Sequence, residues 1–252
     1  MNLAILQARF SSKRLPGKVL KPLFGKPMLV HQLERLQNAK HIDHLVVATS
    51  LHVSDNPIEE LVLQAGFDVY RGDLEDVLSR FCGAAHEYPQ ASTILRLTAD
   101  CPLTDWTVID AAIELYEQGQ FDYVSNGQPA TWPDGLDVEV IARNALLDAG
   151  EHATLLSERE HVTPYIHKHR EKYKVGNLIN STDLSALRWT VDEQEDFDFV
   201  SEIYQRLFSN NPNFSTQEIL ALLEAEPNLV RNAHIKRNEG YAKSLARDQK
   251  PS

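Results

Sequence analysis

The chain has 252 residues, of which 42% are hydrophobic and 24% are charged, and these proportions are typical of a globular protein. It carries 36 acidic and 25 basic side chains, and this net charge of −11 argues against a general nucleic-acid-binding protein, which needs a broad basic face. Apolar runs are too short to span a membrane, signal-peptide features are absent, and two cysteines are too few for a disulfide framework. We therefore expect a cytoplasmic protein that binds neither membrane nor nucleic acid.

In the first half of the chain, short aliphatic runs alternate with amphipathic stretches. The predicted strands are Leu3–Gln7, His44–Thr49, Val69–Tyr70, Thr93–Leu97 and Tyr123–Ser125. The predicted helices are Pro27–Asn38, Pro57–Ala65, Leu74–Glu87 and Trp106–Glu117. This alternation predicts an α/β fold of three layers, in which helices cover both faces of a mostly parallel, doubly wound sheet.

The alternation breaks after residue 125, where residues 126–134 hold the Gly, Pro, Trp and Asn residues of a loop. The elements predicted beyond it are the strands Val138–Ile141, Tyr173–Leu178 and Leu187–Val191, and the helices Ser157–His167 (interrupted near Pro164), Asp196–Leu207 and Thr216–Glu224. The last helix opens with a capping box at Ser215 and Glu218. We expect one domain over residues 1–226, with a small mixed β insertion for the substrate at 126–180, and a peripheral polar tail over 227–252.

A basic loop follows the first strand: six Lys and Arg and no Asp or Glu lie between Arg9 and Lys26. Ligands of parallel sheets bind beyond the carboxyl ends of the strands, where this loop lies. Gly17 allows backbone to approach a ligand closely, and Arg side chains bind phosphates bidentately, so the loop suits a triphosphate. A solvated basic turn is the alternative. The expected nucleotide contacts are Ala8, Arg9, Ser11, Ser12, Lys13, Arg14, Gly17 and Lys18.

The stretches Ala8–Lys18 and Gly25–Met28 together strongly resemble the opening of the cytidylyltransferases that activate acidic sugars, the CMP-KDO and CMP-sialic-acid synthetases. Three further stretches, Thr98–Leu103, Gly135–Val140 and Glu158–Thr163, resemble the SpsF-like, spore-coat polysaccharide branch of that family.

The resemblance covers residues 1–208. It implies a Rossmann-like fold of the nucleotide-diphospho-sugar transferase type, CTP and a sugar as substrates, Mg²⁺ as cofactor, and a homodimer.

Asp100 and Asp192 each follow a predicted strand, at the sheet edge where the basic loop lies. Mg²⁺ typically takes one or two carboxylates, with water and phosphate oxygens completing its shell. The alternative is that each aspartate caps a following helix, since Asp is a favoured N-cap. The resemblance implies the metal role for both, and nucleotide contact for Asp100.

Asp137 and Glu139 alternate with apolar residues, so both carboxylates lie on one strand face and could hold sugar hydroxyls. A half-exposed strand with a polar face explains them equally. Asn126 in the loop is a further sugar candidate, although a strand-end turn also accounts for it. His161 is assigned to the sugar by the resemblance, against the alternative of a structural histidine. We expect His161, or a nearby Arg or Lys, to meet any carboxylate of the sugar.

Arg71 ends a predicted strand at the ligand edge and is a further candidate for nucleotide contact. The predicted reaction is CMP transfer from CTP to a sugar hydroxyl with release of pyrophosphate, in which Arg9, Arg14 and Lys18 stabilise phosphate charge. The alternatives are a sugar-1-phosphate nucleotidylyltransferase and a non-catalytic nucleotide- or sugar-binding protein.

Overall fold

The computed structural model describes residues 1–230 and 237–249. Within these ranges the strands are β1 (Asn2–Gln7), β2 (Pro22–Leu23), β3 (Lys26–Pro27), β4 (His44–Ser50), β5 (Asp68–Gly72), β6 (Thr93–Thr98), β7 (Tyr123–Ser125), β8 (Glu139–Ala142) and β9 (Val175–Asn177). The α-helices are α1 (Met28–Leu36), α2 (Asn56–Gln64), α3 (Val77–Glu87), α4 (Trp106–Gly119), α5 (Arg143–His152), α6 (Leu156–His161), α7 (Pro164–Lys168), α8 (Gln194–Leu207), α9 (Thr216–Ala225) and α10 (Glu239–Asp248).

Seven strands form one sheet in the order β5-β4-β1-β6-β8-β7-β9. Neighbouring strands are parallel except at β8, which runs antiparallel to both β6 and β7. The short strands β2 and β3 pair separately. The predicted mostly parallel sheet with a mixed part is confirmed, and the carboxyl ends of β1, β4, β6 and β7 meet at one edge.

Two apolar cores cover the two faces of the sheet, and β1 contributes to both by alternation. Ala4 and Leu6 join the core beneath α1, α2, α4, α8 and α9. Leu3 and Ile5 join the core beneath α3, α5 and α7. Because both faces are buried, the strands read as continuous apolar runs, and the predicted three layers are confirmed.

The predicted strand Leu187–Val191 is wrong, since this segment forms only one isolated bridge, between Asp134 and Arg188. Its backbone bonds to a loop instead: the Trp189 and Thr190 N–H groups both donate to the carbonyl oxygen of Asp134, over 2.6 and 2.9 Å. Gly135, at φ +113°, allows this approach, because an added Cβ would stand 2.6 Å from the backbone nitrogen of Thr190. The segment therefore packs against the loop that precedes β8 and not against a strand.

Helix α5 was not predicted, because its first turn lacks a sequence signal: Ala142 at the N-cap has no side chain that accepts a hydrogen bond. The predicted interruption near Pro164 is confirmed, with Val162 at φ +71° between α6 and α7. The capping box of Ser215 and Glu218 is confirmed as well.

The prediction of a peripheral tail over 227–252 differs from the part of it that the structure describes; residues 231–236 and 250–252 lie outside the described residues. Helix α10 packs on α6 rather than extending away from the domain. The Ser244 hydroxyl donates to Glu160 Oε2 over 2.6 Å and lies 3.1 Å from Nε2 of His161. These polar contacts bring α10 to the ligand edge of the sheet. An apolar periodicity in the sequence does not predict them.

No helix within the described residues combines the length and the hydropathy that crossing a membrane requires.

Candidate functional site

The basic loop curls back on the end of β1. The carbonyl oxygen of Phe10 accepts hydrogen bonds from the Ser12 and Gly17 backbone N–H groups, over 2.8 and 2.9 Å. Gly17 has φ +69°, and a Cβ there would lie 2.8 Å from the Phe10 ring, so both its conformation and its position favour glycine. The Phe10 N–H in turn donates to Asp55 Oδ1 over 2.8 Å. The tight closure presents the basic side chains along one rim.

That rim borders a cavity of about 310 Å³, here called the basic cavity. Six of the loop residues predicted to contact the nucleotide line it: Ala8, Arg9, Ser12, Lys13, Arg14 and Lys18. Ser11, Gly17 and Arg71 do not line it. Arg71 instead binds Glu59 over 2.7 Å and the carbonyl oxygens of Ser50 and His52, so its guanidinium is held between β4 and α2.

Lys18 brings the two predicted metal aspartates together. Its ammonium group donates to Asp100 Oδ2 over 3.0 Å, to Asp192 Oδ1 over 3.1 Å, and to the carbonyl oxygen of Val191 over 2.7 Å. Burial opposes the charge of Lys18, but Asp100 and Asp192 outweigh burial and raise its pKa. Burial likewise opposes ionisation of Asp100, yet Lys18 and hydrogen bonds from Thr98 and Cys101 lower its pKa to about 2. Lys18 and Asp100 are therefore both charged at neutral pH.

Neither aspartate caps a helix, so the alternative interpretation of these residues is excluded. The N-caps of α4 and α8 are Asp105 and Glu193. The prediction that Asp192 follows a strand is wrong. Its neighbour Val191 nonetheless lies close to the end of β6, because the Val191 N–H donates to the carbonyl oxygen of Asp100 over 2.8 Å.

A second cavity of about 320 Å³, here called the acidic cavity, adjoins the first. Its lining includes Asp100, Asp192 and all four residues predicted to contact the sugar: Asn126, Asp137, Glu139 and His161. Arg14, Arg96 and His161 line both cavities, so the two spaces meet beside the Lys18 cluster.

Both the nitrogen and the oxygen of the Asn126 side-chain amide form hydrogen bonds with backbone groups. Its Nδ2 donates to the carbonyl oxygen of Leu136 over 2.7 Å, and its Oδ1 accepts from the Val138 N–H over 3.0 Å. The strand-end alternative thus accounts for its buried side chain. Asp137 accepts from the Gly135 N–H over 3.0 Å and forms an ion pair with Arg237.

Glu139 opens β8 and stands directly across the ladder from Arg96, with which it forms an ion pair. Its Oε1 accepts from the Tyr123 hydroxyl over 2.5 Å and from the Thr163 hydroxyl over 2.6 Å. Burial opposes its ionisation, but Arg96 and the two hydroxyl groups lower its pKa. Glu139 is therefore a carboxylate whose two oxygens already have partners. His161 stands nearby, and burial together with Arg96 lowers its pKa to about 4, which makes it neutral at pH 7.

Sequence reasoning missed four charged residues of the site. Arg188 links Asp134, at 2.7 Å, with Asp192, at 2.6 Å. Burial and the charge of Asp137 raise the pKa of Asp134 to about 6. Arg80 of α3 and Arg96 of β6 line the basic cavity. The Arg188–Asp192 contact joins residues four apart, but the contact of Arg188 with Asp134 spans 54 residues, and no local pattern identifies it.

Two carboxylates gathered on one cation offer the hard oxygen ligands that Mg²⁺ prefers. Across the described residues, no group of three or more His, Cys, Asp and Glu side chains converges in a way that could hold a metal ion. Asp100 and Asp192 thus fit an ion that takes the rest of its shell from water and phosphate, and not one held by protein alone.

The family model for cytidylyltransferases matches residues 3–239. The spore coat polysaccharide biosynthesis protein SpsF of Bacillus subtilis is 36% identical over 234 residues, which span 89% of this chain and 95% of SpsF. An 8-amino-3,8-dideoxy-manno-octulosonate cytidylyltransferase of Shewanella amazonensis is 33% identical over 135 residues, which span 50% and 53% of the two chains. A cytidylyltransferase structure from Leptospira borgpetersenii superposes with a TM-score of 0.86 at 31% identity, over 94% of this chain and 99% of the other.

Proposed function

Because the chain belongs to the cytidylyltransferase family, we propose that it transfers CMP from CTP to a hydroxyl group of an acidic sugar and releases pyrophosphate. The observation that carries the proposal is the placement of Lys18 between Asp100 and Asp192, where the basic and acidic cavities meet. The printed activity of the Shewanella relative and the polysaccharide role of SpsF support a sugar acid as acceptor and surface polysaccharide synthesis as the pathway.

The basic cavity is proposed to hold the triphosphate of CTP. Arg9 and Lys13 on its rim are exposed, so they can reach phosphate oxygens, whereas Lys18 is buried at its inner end. Charge-assisted bonds from such groups are about twice as strong as neutral hydrogen bonds. We assign Arg9, Arg14 and Lys18 to stabilisation of the negative charge on the transferring phosphate. This assignment needs no covalent intermediate, because phosphoryl transfer is catalysed mainly by positioning the reactants and by stabilising the negative charge on the phosphate.

Asp100 and Asp192 would hold Mg²⁺, because they are carboxylate ligands that converge on one cationic group, the ammonium of Lys18. When bound, the ion would supply Lewis-acid polarisation of the phosphate. The ammonium group of Lys18 keeps the two carboxylates together, and Arg188 and Arg14 hold the second oxygen of Asp192, at 2.6 and 2.9 Å. These contacts orient the pair toward the basic cavity.

The acidic cavity is proposed to hold the sugar, and its hydroxyl groups would meet the 38% of the Asp137 side chain that the contacts with Gly135 and Arg237 leave exposed. Its volume of about 320 Å³ suits one monosaccharide-sized ligand. Asn126 and Glu139 shape its wall, since their polar atoms already have protein partners. We also propose that the protein is located in the cytoplasm and that it forms a homodimer.

The test is pyrophosphate release from each nucleoside triphosphate with Mg²⁺ and a panel of sugar acids, neutral sugars and sugar 1-phosphates. We expect release with CTP and a sugar acid only. Arg14→Ala should abolish most of it, and Lys26→Ala is the matched control, because Lys26 belongs to the same basic segment but pairs with Glu34 on the surface. Release only with a sugar 1-phosphate would refute transfer to a sugar hydroxyl, and tight CTP binding without any release would refute catalysis.

A further inference from the structure

Helix α10 brings two basic side chains, Lys243 and Arg247, to the basic cavity, and the reaction as proposed so far gives them no role. Both lie beyond residues 3–239, the part of the chain that the cytidylyltransferase model matches, so family membership assigns them no function. They are four residues apart and therefore lie on the same face of the helix. Two cations on one helix face, both at a cavity, suggest a shared ligand.

The helix that carries these cations is fixed to α6. The buried hydroxyl group of Ser244 donates to a carboxylate of α6, and the Ser157 N–H donates to Oδ1 of Asp248 over 3.0 Å. Ser244 and Asp248 directly follow Lys243 and Arg247 in the chain. The contacts that dock the helix therefore also hold the backbone of both cations at the cavity.

The charged groups of Lys243 and Arg247 are available to a ligand. Lys243 is 64% exposed and pairs with Glu239 on the same helix over 2.9 Å, and Arg247 is 52% exposed and lies 3.8 Å from Glu160. Exposed ion pairs of this kind contribute little free energy, because water already solvates both charges. An anion with more charge than a carboxylate can therefore displace the carboxylates from both cations.

The carboxylate of Glu239 marks a point where one anionic group meets cations from two elements. Its Oε1 lies 2.9 Å from Nζ of Lys243, and its Oε2 lies 3.6 Å from Nη1 of Arg14 in the basic loop. A single carboxylate thus spans the gap between the loop and α10. A phosphate group also presents several oxygens close together and carries more negative charge, so it can bridge the same two cations.

The composition of the basic cavity favours a polyphosphate over other ligands. Eight Lys and Arg side chains line it against four Asp and Glu, whereas six Asp and Glu line the acidic cavity against three Arg. Lys243 and Arg247 line the basic cavity and not the acidic one. The phosphate that is transferred has to face the acceptor and therefore lies where the cavities meet, beside Lys18. Cations that line the basic cavity alone are placed for the phosphates that leave.

We propose that Lys243 and Arg247 bind the terminal phosphates of CTP, which leave as pyrophosphate, and that one of these phosphates replaces Glu239 between Lys243 and Arg14. The inference rests on the proposed function, because it takes CTP as the ligand of the basic cavity. It adds that α10 completes the polyphosphate site and that Glu239 competes with the ligand for two of its cations.

The experiment measures the Kd of CTP, of CMP and of pyrophosphate by calorimetry, each with Mg²⁺ and without a sugar, so that no transfer occurs. The variants are Lys243→Gln, Arg247→Gln and Glu239→Gln. Lys172→Gln is the matched control, because Lys172 is an exposed lysine that pairs with Asp148 and lines neither cavity. All titrations are repeated at low and high salt.

Lys243→Gln and Arg247→Gln should each weaken the binding of CTP and of pyrophosphate by about threefold to tenfold and leave the Kd of CMP unchanged. This effect is smaller than that of a buried charge-assisted bond, because both side chains are exposed, and it should shrink at high salt. Glu239→Gln should act in the opposite direction and tighten both ligands by about twofold to fivefold, since it removes the competing anion. Lys172→Gln should bind all three ligands as the wild type does.

Unchanged CTP and pyrophosphate affinities in Lys243→Gln and Arg247→Gln would overturn the inference, and a loss in one variant alone would remove the other residue from the site. An equal loss of CMP affinity would assign α10 to the nucleoside monophosphate and refute its contact with the terminal phosphates. Weaker pyrophosphate binding in Glu239→Gln would refute the competition.

The outcome is independent of CMP transfer. If no sugar supports pyrophosphate release, the proposed function is wrong, but the Kd values of CTP and pyrophosphate still decide on Lys243 and Arg247. If the wild-type protein binds neither CTP nor pyrophosphate, α10 has no phosphate to hold and the inference is wrong as well.

Discussion

Replacement of Lys18 by Met tests the ion-pair cluster at the ligand edge, because Met keeps the length of the side chain and removes its charge. Three contacts are lost: those to Asp100, Asp192 and the carbonyl oxygen of Val191. Asp100 and Asp192 are then left facing each other at the inner end of the basic cavity. We expect the variant to be both less stable and slower.

The size of the stability loss follows from the pKa of Asp100. It is lowered from 3.8 to about 2, and one pKa unit corresponds to about 1.4 kcal/mol, so the Asp100 contacts contribute about 2 kcal/mol at neutral pH. Breaking a buried ion pair costs about 3–5 kcal/mol. Since the side chain of Asp100 is still 27% exposed, we expect the lower end, about 3 kcal/mol.

The sign of the pH dependence is fixed by the same shift. The folded-state pKa of Asp100 lies below its unfolded value, so its contribution is complete above pH 4 and disappears as the pH falls toward 2. Urea unfolding should therefore separate wild type from Lys18→Met at pH 7 and bring them together in acid. Lys26→Met is the control, and its exposed pair with Glu34 predicts a change below about 0.5 kcal/mol.

Pyrophosphate release completes the test, with an expected fall of about tenfold to 150-fold from the loss of one charge-assisted contact. Equal free energies of unfolding at pH 7 would refute the cluster as a stabilising element. A wild-type rate in a folded Lys18→Met protein would remove Lys18 from the stabilisation of phosphate charge.

Three further outcomes are expected. Asp100→Asn and Asp192→Asn should lose Mg²⁺-dependent pyrophosphate release, because each loses a carboxylate ligand; Asp100→Asn should also lose stability with the Lys18 ion pair, although neither aspartate caps a helix, and normal rates in both would refute the metal assignment. The His161 imidazole should titrate by NMR with a midpoint near pH 4, and since its unfolded-state pKa is higher, its contribution to stability should fall as the pH drops from about 6.5 to 4; a midpoint above 6 would contradict its burial. Gly135→Ala should lower the free energy of unfolding by more than 1 kcal/mol, since its Cβ would stand 2.6 Å from the Thr190 backbone and its φ is +113°, and an unchanged urea midpoint would show that this contact is not tight.

Helix α10 gives the acidic cavity a wall that the tail prediction did not foresee. Glu239 and Tyr241 line that cavity, and Glu239 lies 3.6 Å from Arg14 of the basic loop. Helices with a mostly polar surface are held by specific partners rather than by a broad apolar face, so their docking cannot be read from periodicity.

The sequence by itself determined the order of strands and helices through Ser125, the basic loop, and the position of Asp100 just beyond the end of a strand. These features are local: apolar alternation, loop composition and position after a strand are each encoded within about ten residues. The sequence did not determine that Leu187–Val191 would pack on the loop before β8, because the Asp134 and Gly135 backbone that this segment meets lies far away in the chain.

Only the tertiary structure decided which charges are satisfied and which remain available. Glu139 looks like a sugar ligand in the sequence but is paired with Arg96, which shows no local signal and stands across the β6–β8 ladder from it. Arg188 and Lys18 both reach Asp192, although Lys18 stands 174 residues away. The reason is physical: whether a charged group is buried, paired or open to a ligand depends on the atoms within a few ångströms of it, and the path of the whole chain sets those neighbours.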